Sequence, residues 1–224
     1  MCGRYVSKLD AAMERAWGLS RPPSPFESYN VAPTQRVPVV RERDGERLCE
    51  LLRWGLVPAW AKGIPPKLST INARVETVAT APSYRGPWKH RQRCILPAIG
   101  FYEWQIRESG KQPFYIHLVD QLLFGFAGLW DASIAADGAV LESCTVLTMP
   151  ANPLMAEIHN AKARMPAILR REDHDAWLTG DAEAAMRCLV PYPQELMRAY
   201  PVSTAVNSPR SNGPRLIEPM EGRR

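Results

Sequence analysis

The sequence predicts a single α+β domain with a curved, mainly antiparallel, barrel-like β core decorated by short helices. Three observations carry this. Strand-like runs dominate the middle of the chain and are joined by short turn signals, which favours hairpins over parallel crossovers. Helical spacing is confined to short stretches near the ends and in the connections. The length of 224 residues, 46% of them hydrophobic, supplies one sizeable core.

From the N-terminus, Ser7 reads as an N-cap before Leu9, Ala12, Met13, Ala16 and Trp17, whose spacing predicts a helix ended by Gly18 or the Pro22-Pro23 pair. Residues 21–35 are proline-rich and read as irregular. Residues 36–43 and 47–54 read as strands joined at Asp44-Gly45, a hairpin turn signal. Residues 58–70 form a long loop with Pro58, Pro65 and Pro66, and 72–78 read as a short helix. A second hairpin is expected from 94–106 and 113–119 around Ser109-Gly110, followed by strands at 124–130 and 139–148. Helices are expected at 151–158, 172–178 and 182–189, and a last strand at 202–206. The domain therefore spans 2–207, and the polar, proline-bearing stretch 208–224 reads as a flexible tail.

Composition narrows the function classes. Proline is high, at 21 of 224, without Gly or Ser enrichment, which suits loops that hold shape rather than a flexible linker. The net charge is +5. Residues 61–100 carry Lys62, Lys67, Arg74, Arg85, Lys89, Arg91 and Arg93 against one acid, Glu76, so the rest of the chain is close to neutral. Such a block is either a polyanion-binding surface or a solvated face. No apolar run is long enough for a transmembrane helix and the first residues lack a signal-peptide stretch, so the expectation is a cytoplasmic protein with no membrane partner. The five cysteines, Cys2, Cys49, Cys94, Cys144 and Cys188, have no zinc-ligand spacing, so no metal is expected. Cys49, Cys94 and Cys144 lie in apolar runs and read as small buried hydrophobes. With no phosphate loop and no dinucleotide fingerprint, no cofactor is expected.

Cys2 is the exception. Removal of Met1, which is general before a small residue, would leave a free amine and a thiol on adjacent carbons. Their reference pKa values are about 7.7–8.0 and about 8.5. Such a 1,2-aminothiol condenses with an aldehyde to an imine, which the thiol then closes into a five-membered thiazolidine, an intramolecular and therefore favoured step. The same residue can instead attack an amide with its own amine as base. If Met1 stays, Cys2 is inert.

Six motifs follow one another in the chain: Cys2-Gly3-Arg4-Tyr5, Asn30-Val31-Ala32-Pro33-Thr34, Arg53-Trp54-Gly55-Leu56-Val57-Pro58-Ala59-Trp60, Asn72-Ala73-Arg74-Val75-Glu76-Thr77, Arg93 to Ala98 leading into Gly100-Phe101-Tyr102-Glu103-Trp104, and Ile158-His159 with Arg164-Met165-Pro166. In that order they resemble the SRAP family, the SOS-response-associated peptidases or abasic-site-processing proteins, over roughly residues 2–170. One departure is visible. In the familiar pattern the histidine nearly adjoins Arg-Met-Pro, whereas Asn160-Ala161-Lys162-Ala163 intervenes here, marking a subfamily with a longer loop.

The resemblance implies capture of abasic sites in single-stranded DNA, with the open-chain aldehyde of the lesion linked to Cys2 as a thiazolidine that shields it. It implies that Glu103 helps open the sugar and shuttles protons, and that His159 assists proton transfer around the imine and in reversal. Asn72 offers an amide able to orient the Cys2 amine or the sugar oxygen, or else caps the expected helix. Arg4, Arg74 and Arg164, with Lys67 and Arg85, suit phosphates flanking the lesion, although Arg164 also reads as an ion-pair partner for Glu103. Trp54, Trp60, Trp88 and Trp104 lie among the basic residues and suit stacking on unpaired bases, or else the core. By resemblance, Pro33 wedges between bases. The partner expected is single-stranded DNA carrying an abasic site, met by a monomer. Two other readings remain: a thiol autoprotease, and a non-covalent single-strand-binding module.

Overall fold

The computed structural model describes residues 2–10 and 13–220. The expected removal of Met1, Ala12 of the expected helix and residues 221–224 of the expected tail lie outside the described residues. In chain order the elements are β1 (Arg4–Leu9), α1 (Met13–Trp17), β2 (Phe26–Val31), β3 (Arg36–Arg43), β4 (Glu46–Trp54), β5 (Asn72–Arg74), α2 (Arg85–Lys89), β6 (Arg93–Ala98), β7 (Gly100–Arg107), β8 (Gly110–Leu118), β9 (Phe124–Ile134), β10 (Val140–Pro150), α3 (Pro153–Ile158), β11 (Arg164–Pro166), β12 (Ile168–Leu169), α4 (His174–Thr179), α5 (Ala182–Arg187) and β13 (Met197–Pro201).

Five of these strands close into a barrel. β10 pairs with β4, β4 with β3, β3 with β6, β6 with β9, and β9 with β10 again. Only the β10–β4 contact is parallel, so the expectation of a curved, mainly antiparallel barrel holds. The β3–β4 hairpin turns where expected, with positive φ at both Asp44 and Gly45, the backbone that matches the twist of the two strands.

β10 outruns the barrel. From Val146 on, its neighbour on one side is β5, in parallel, and from Thr148 on its neighbour on the other is β11, antiparallel. Thr148 therefore sits between Arg74 and Pro166. This end of the barrel carries the site.

A second sheet, in the order β13-β8-β7-β1-β2, is antiparallel throughout and lies against the barrel. Side chains alternate across it. Tyr5 and Phe101 face the barrel, where Tyr5 meets Trp54 at 5.2 Å and Phe126 at 5.8 Å, edge to face, and Phe101 meets Phe126 at 5.8 Å. Val6, Tyr102 and Tyr115 form a second cluster with Val202, Val206 and Leu216 from the C-terminal segment.

That second cluster corrects the expected tail. Residues 208–220 pack rather than drape. Leu216 is buried in the cluster, Asn30 Nδ2 donates to the carbonyls of Ser208 and Ser211 at 2.9 Å each, and Met220 N donates to Pro201 O at 2.9 Å. The outer face of β1, β7 and β8 is apolar, and this segment is what covers it.

Other expectations shift where long-range pairing overrides local pattern. Ser7 is a strand residue, not a cap; its hydroxyl donates to Pro97 O at 2.8 Å, and the helix described is Met13–Trp17. The proline-rich stretch contains β2, paired with β1. Residues 72–78 are not a helix: 72–74 form β5, held by β10. The expected strand 94–106 breaks into β6 and β7 around Ile99, beside Gly100, where a Cβ would fall 2.3 Å from the Tyr115 ring. The last strand is β13, and 204–207 form a 3-10 turn.

Candidate active site

Segments far apart in sequence converge at the open end of the barrel. Cys2 lies just before β1 and is fully buried. Its carbonyl oxygen accepts a 2.9 Å hydrogen bond from Asn72 Nδ2. Asn72 reaches it because β5 is placed by β10, with Asn72 opposite Val146. The Asn72 amide thus ties down Cys2 rather than capping a helix. The Cys2 Sγ lies 3.7 Å from the Arg4 carbonyl oxygen.

Glu103 sits on β7 next to Tyr102, the partner of Arg4 on β1, and is buried. His159 is also buried, at the C-terminal end of α3. Its Nδ1 lies 2.9 Å from the Arg164 carbonyl oxygen. The Arg164 backbone N–H also donates to Nδ1, at 3.3 Å, so both backbone groups of Arg164 hold the ring's orientation. Glu103 and His159 line one cleft of about 530 Å³ with Gly3, Arg4 and Trp104, and its exposed wall adds Ile106, Lys111, Ala161 and Lys162.

Electrostatics fix the state of the thiol. Burial, and next the neighbouring Glu103 carboxylate, push the Cys2 pKa far above the usual thiol range. At neutral pH the thiol therefore keeps its proton, and it needs a base to act as a nucleophile. Among the described residues, no cluster of three His, Cys, Asp or Glu side chains could hold a metal ion.

Several expected DNA contacts are bound within the protein. The Arg4 guanidinium donates to Asn30 Oδ1 at 2.8 Å, Val206 O at 2.9 Å and Asn207 O at 3.1 Å, fastening the C-terminal segment to β1. Arg164 is buried; it forms a two-pronged ion pair with Glu76, not with Glu103, and its Nη2 also donates to Thr148 O at 2.6 Å. Trp54 is a core residue whose indole N–H donates to Ile71 O at 2.9 Å, and Trp88 is buried too. Arg93, counted in the basic block, is internal and donates to the carbonyls of Trp177 and Gly180. Within the basic block 61–100, the exposed cations are Lys67, Arg74 and Arg85, with Lys62, Lys89 and Arg91. Trp104 is half-buried at the cleft, its N–H on Asn207 Oδ1 at 2.7 Å, Pro33 is half-buried, and Trp60 is exposed.

Lys111 and Ile106 were not anticipated at the cleft. Nothing in their local sequence marks them, because the β7–β8 register places them. Lys162 was visible only as part of the extra loop after His159.

Comparison with known proteins agrees with this architecture. The family model described as SOS response associated peptidase (SRAP) matches residues 1–209. The "Abasic site processing protein YoqW" of Bacillus subtilis is 40% identical, over 97% of this chain and 99% of its own length. The "Abasic site processing protein HMCES" of Gallus gallus is 32% identical, over 99% of this chain and 78% of its own. A crystal structure of a protein from Bacteroides thetaiotaomicron superposes with a TM-score of 0.86 at 28% identity, covering 98% of this chain and all of that one. With the six motifs in order, the closed barrel and matches over nearly the full length, the chain belongs to the SOS response associated peptidase (SRAP) family.

Proposed function

We propose that this protein processes abasic sites in single-stranded DNA by capturing the lesion's aldehyde on Cys2 as a thiazolidine. The observation that carries the reading is the position of Cys2: buried, tied to Asn72, and close enough to feel the charge of Glu103, which lines one cleft with His159. Relatives that match along nearly the whole chain are named as abasic site processing proteins.

With Cys2 as the first residue, its amine attacks C1′ of the open-chain sugar, and loss of water gives the imine. Glu103, in its acid form, donates a proton to the departing oxygen. The thiol sulfur then bonds to the same carbon, Glu103 as carboxylate accepts the thiol proton, and a proton is returned to the ring nitrogen. The net change is aminothiol plus aldehyde to thiazolidine plus water. Asn72 orients Cys2, and His159 relays protons at the cleft wall. Arg74, two residues after Asn72 and so on the same side of β5, meets a phosphate next to the lesion. Lys67 and Arg85 extend that track, and Trp104 and Pro33 contact the bases beside the gap.

The test is incubation with a single strand carrying one abasic site, followed by denaturing electrophoresis and mass spectrometry. An adduct is expected when Cys2 is the first residue, and none with Cys2→Ala or with residues added before Cys2. An adduct that persists with a blocked N-terminus would sink the thiazolidine. Equal binding to intact strands with no adduct would favour a non-covalent module. The family description favours one second reading, in which the same thiol acts as a peptidase on the bond before it. A precursor extended before Cys2 would then cleave itself over time in mass spectrometry.

A further inference from the structure

The four residues that separate His159 from Arg164 form a built wall of the cleft. Asn160 takes both backbone groups of Ile106: its Oδ1 accepts from Ile106 N at 3.0 Å and its Nδ2 donates to Ile106 O at 2.9 Å, as a neighbouring strand would. The loop closes on itself, with Lys162 N and Ala163 N both donating to His159 O, at 3.1 and 2.9 Å. Ala163 holds a φ of 46° to make that turn, a left-handed backbone that a residue with a Cβ adopts only under constraint. Ile106 is also the cross-strand partner of Lys111 on β8. One residue therefore anchors two lysine-bearing segments.

Both lysines are exposed and line the cleft that contains Glu103 and His159. The one arginine lining it, Arg4, has its guanidinium fastened to Asn30, Val206 and Asn207. Arg164, next along the chain, is taken by Glu76. The cations left to meet a polyanion at this cleft are Lys111 and Lys162.

We infer that Lys111 and Lys162 form a phosphate clamp that seats the DNA strand on the His159 side of the cleft, opposite the Arg74 side. They are positioning residues: they act on the strand and leave the chemistry to Cys2 and Glu103. The inference rests on the single-strand reading above. A compact ammonium on a flexible stem suits a phosphate whose position varies as the strand threads the cleft, whereas a fork-shaped guanidinium suits a fixed one.

The experiment separates the two readings. In a Cys2→Ala background, affinity for an intact single strand is measured from low to high salt, with and without Lys111→Gln and Lys162→Gln. Losing two phosphate contacts should lower the slope of log affinity against log salt by about 1.4. At low salt, affinity should fall about tenfold or more. With Cys2 intact and first in the chain, the same two substitutions should slow adduct formation on an abasic strand, yet leave reaction with phosphate-free 2-deoxyribose unchanged. Equal slopes and affinities would overturn the clamp, as would an equal slowing with both aldehydes. Failure of the parent protein to form any adduct would strike the thiazolidine reading alone, because the salt slope tests the lysines without it.

Discussion

Replacing Arg164 by Met removes every donor of the guanidinium and keeps most of its aliphatic stem. The side chain of Arg164 is 10% exposed and that of Glu76 is 44% exposed. Deleting one partner of a fully buried pair costs about 3–5 kcal/mol. Here the orphaned Glu76 carboxylate can rehydrate, and Thr148 O keeps its bond from Val75 N at 3.0 Å. The loss should therefore be smaller, about 2–3 kcal/mol. For a chain of this size that lowers Tm by about 4–12 °C. Glu76→Gln should also destabilise, and the double variant should lose less than the two singles combined, since both remove the same interaction.

The pH dependence follows from the same pair. The hydrogen bonds from Arg164, chiefly, hold the Glu76 carboxyl below the usual carboxylate range. A depressed carboxyl stabilises the fold above its unfolded pKa, and that contribution is lost as pH falls through the folded value. The Tm gap between the parent protein and Glu76→Gln should thus narrow in acid. Thermal denaturation and single-strand titrations across salt together decide the case. A Tm within a degree of the parent, combined with a shallower salt slope for DNA, would show Arg164 to be a phosphate ligand and would refute the structural role.

Two further outcomes follow. His174 is buried against Trp17, with ring centroids 4.8 Å apart, and burial followed by the charges of Arg47 and Arg171 holds its pKa down to about 4. Between about pH 6.5 and about 4 the unfolded chain binds more protons than the folded one, so stability should rise with pH across that window, by up to about 3 kcal/mol; His174→Gln should flatten this part of a plot of urea midpoint against pH. Asn72→Ala removes the bond to Cys2 O and should cost about 1 kcal/mol of stability; on the proposed chemistry it should slow adduct formation about tenfold at saturating strand while leaving the affinity of the Cys2→Ala form unchanged, which rapid-quench electrophoresis can measure.

What could be read from the sequence was set locally. The β3–β4 hairpin is written in Asp44-Gly45, and α3 in Asn152, whose side chain accepts from Met155 N at 2.9 Å, followed by Pro153 at the first helical position. The elements that resisted were set at a distance. β5 is only three residues long and would not stand alone; it exists because β10 runs past the barrel and offers an edge. The C-terminal segment is polar in composition, yet Val202, Val206 and Leu216 cover an apolar sheet face, and no local pattern reveals that a face needs covering.

The site shows the same division. Residue type points to Cys2, Asn72, Glu103 and His159, because an aminothiol, an amide, a buried carboxyl and an imidazole each have few uses. Charge is harder, since a guanidinium means one thing to a strand of DNA and another to a carbonyl inside the fold. Arg4, Arg93 and Arg164 look alike in the sequence to Arg74 and Arg85, but the first three are held by protein oxygens and the last two are exposed. The basic block at 61–100 is correspondingly weaker as a surface than its tally implies, because Arg93 is internal. Lys111 and Lys162 stand outside the block, each in an ordinary setting. They reach the cleft only because Ile106 holds a β8 partner on one side and the Asn160 amide on the other. A ligand surface is defined by the charges a fold leaves unneutralised, and that remainder can be taken only once every internal partner has been placed.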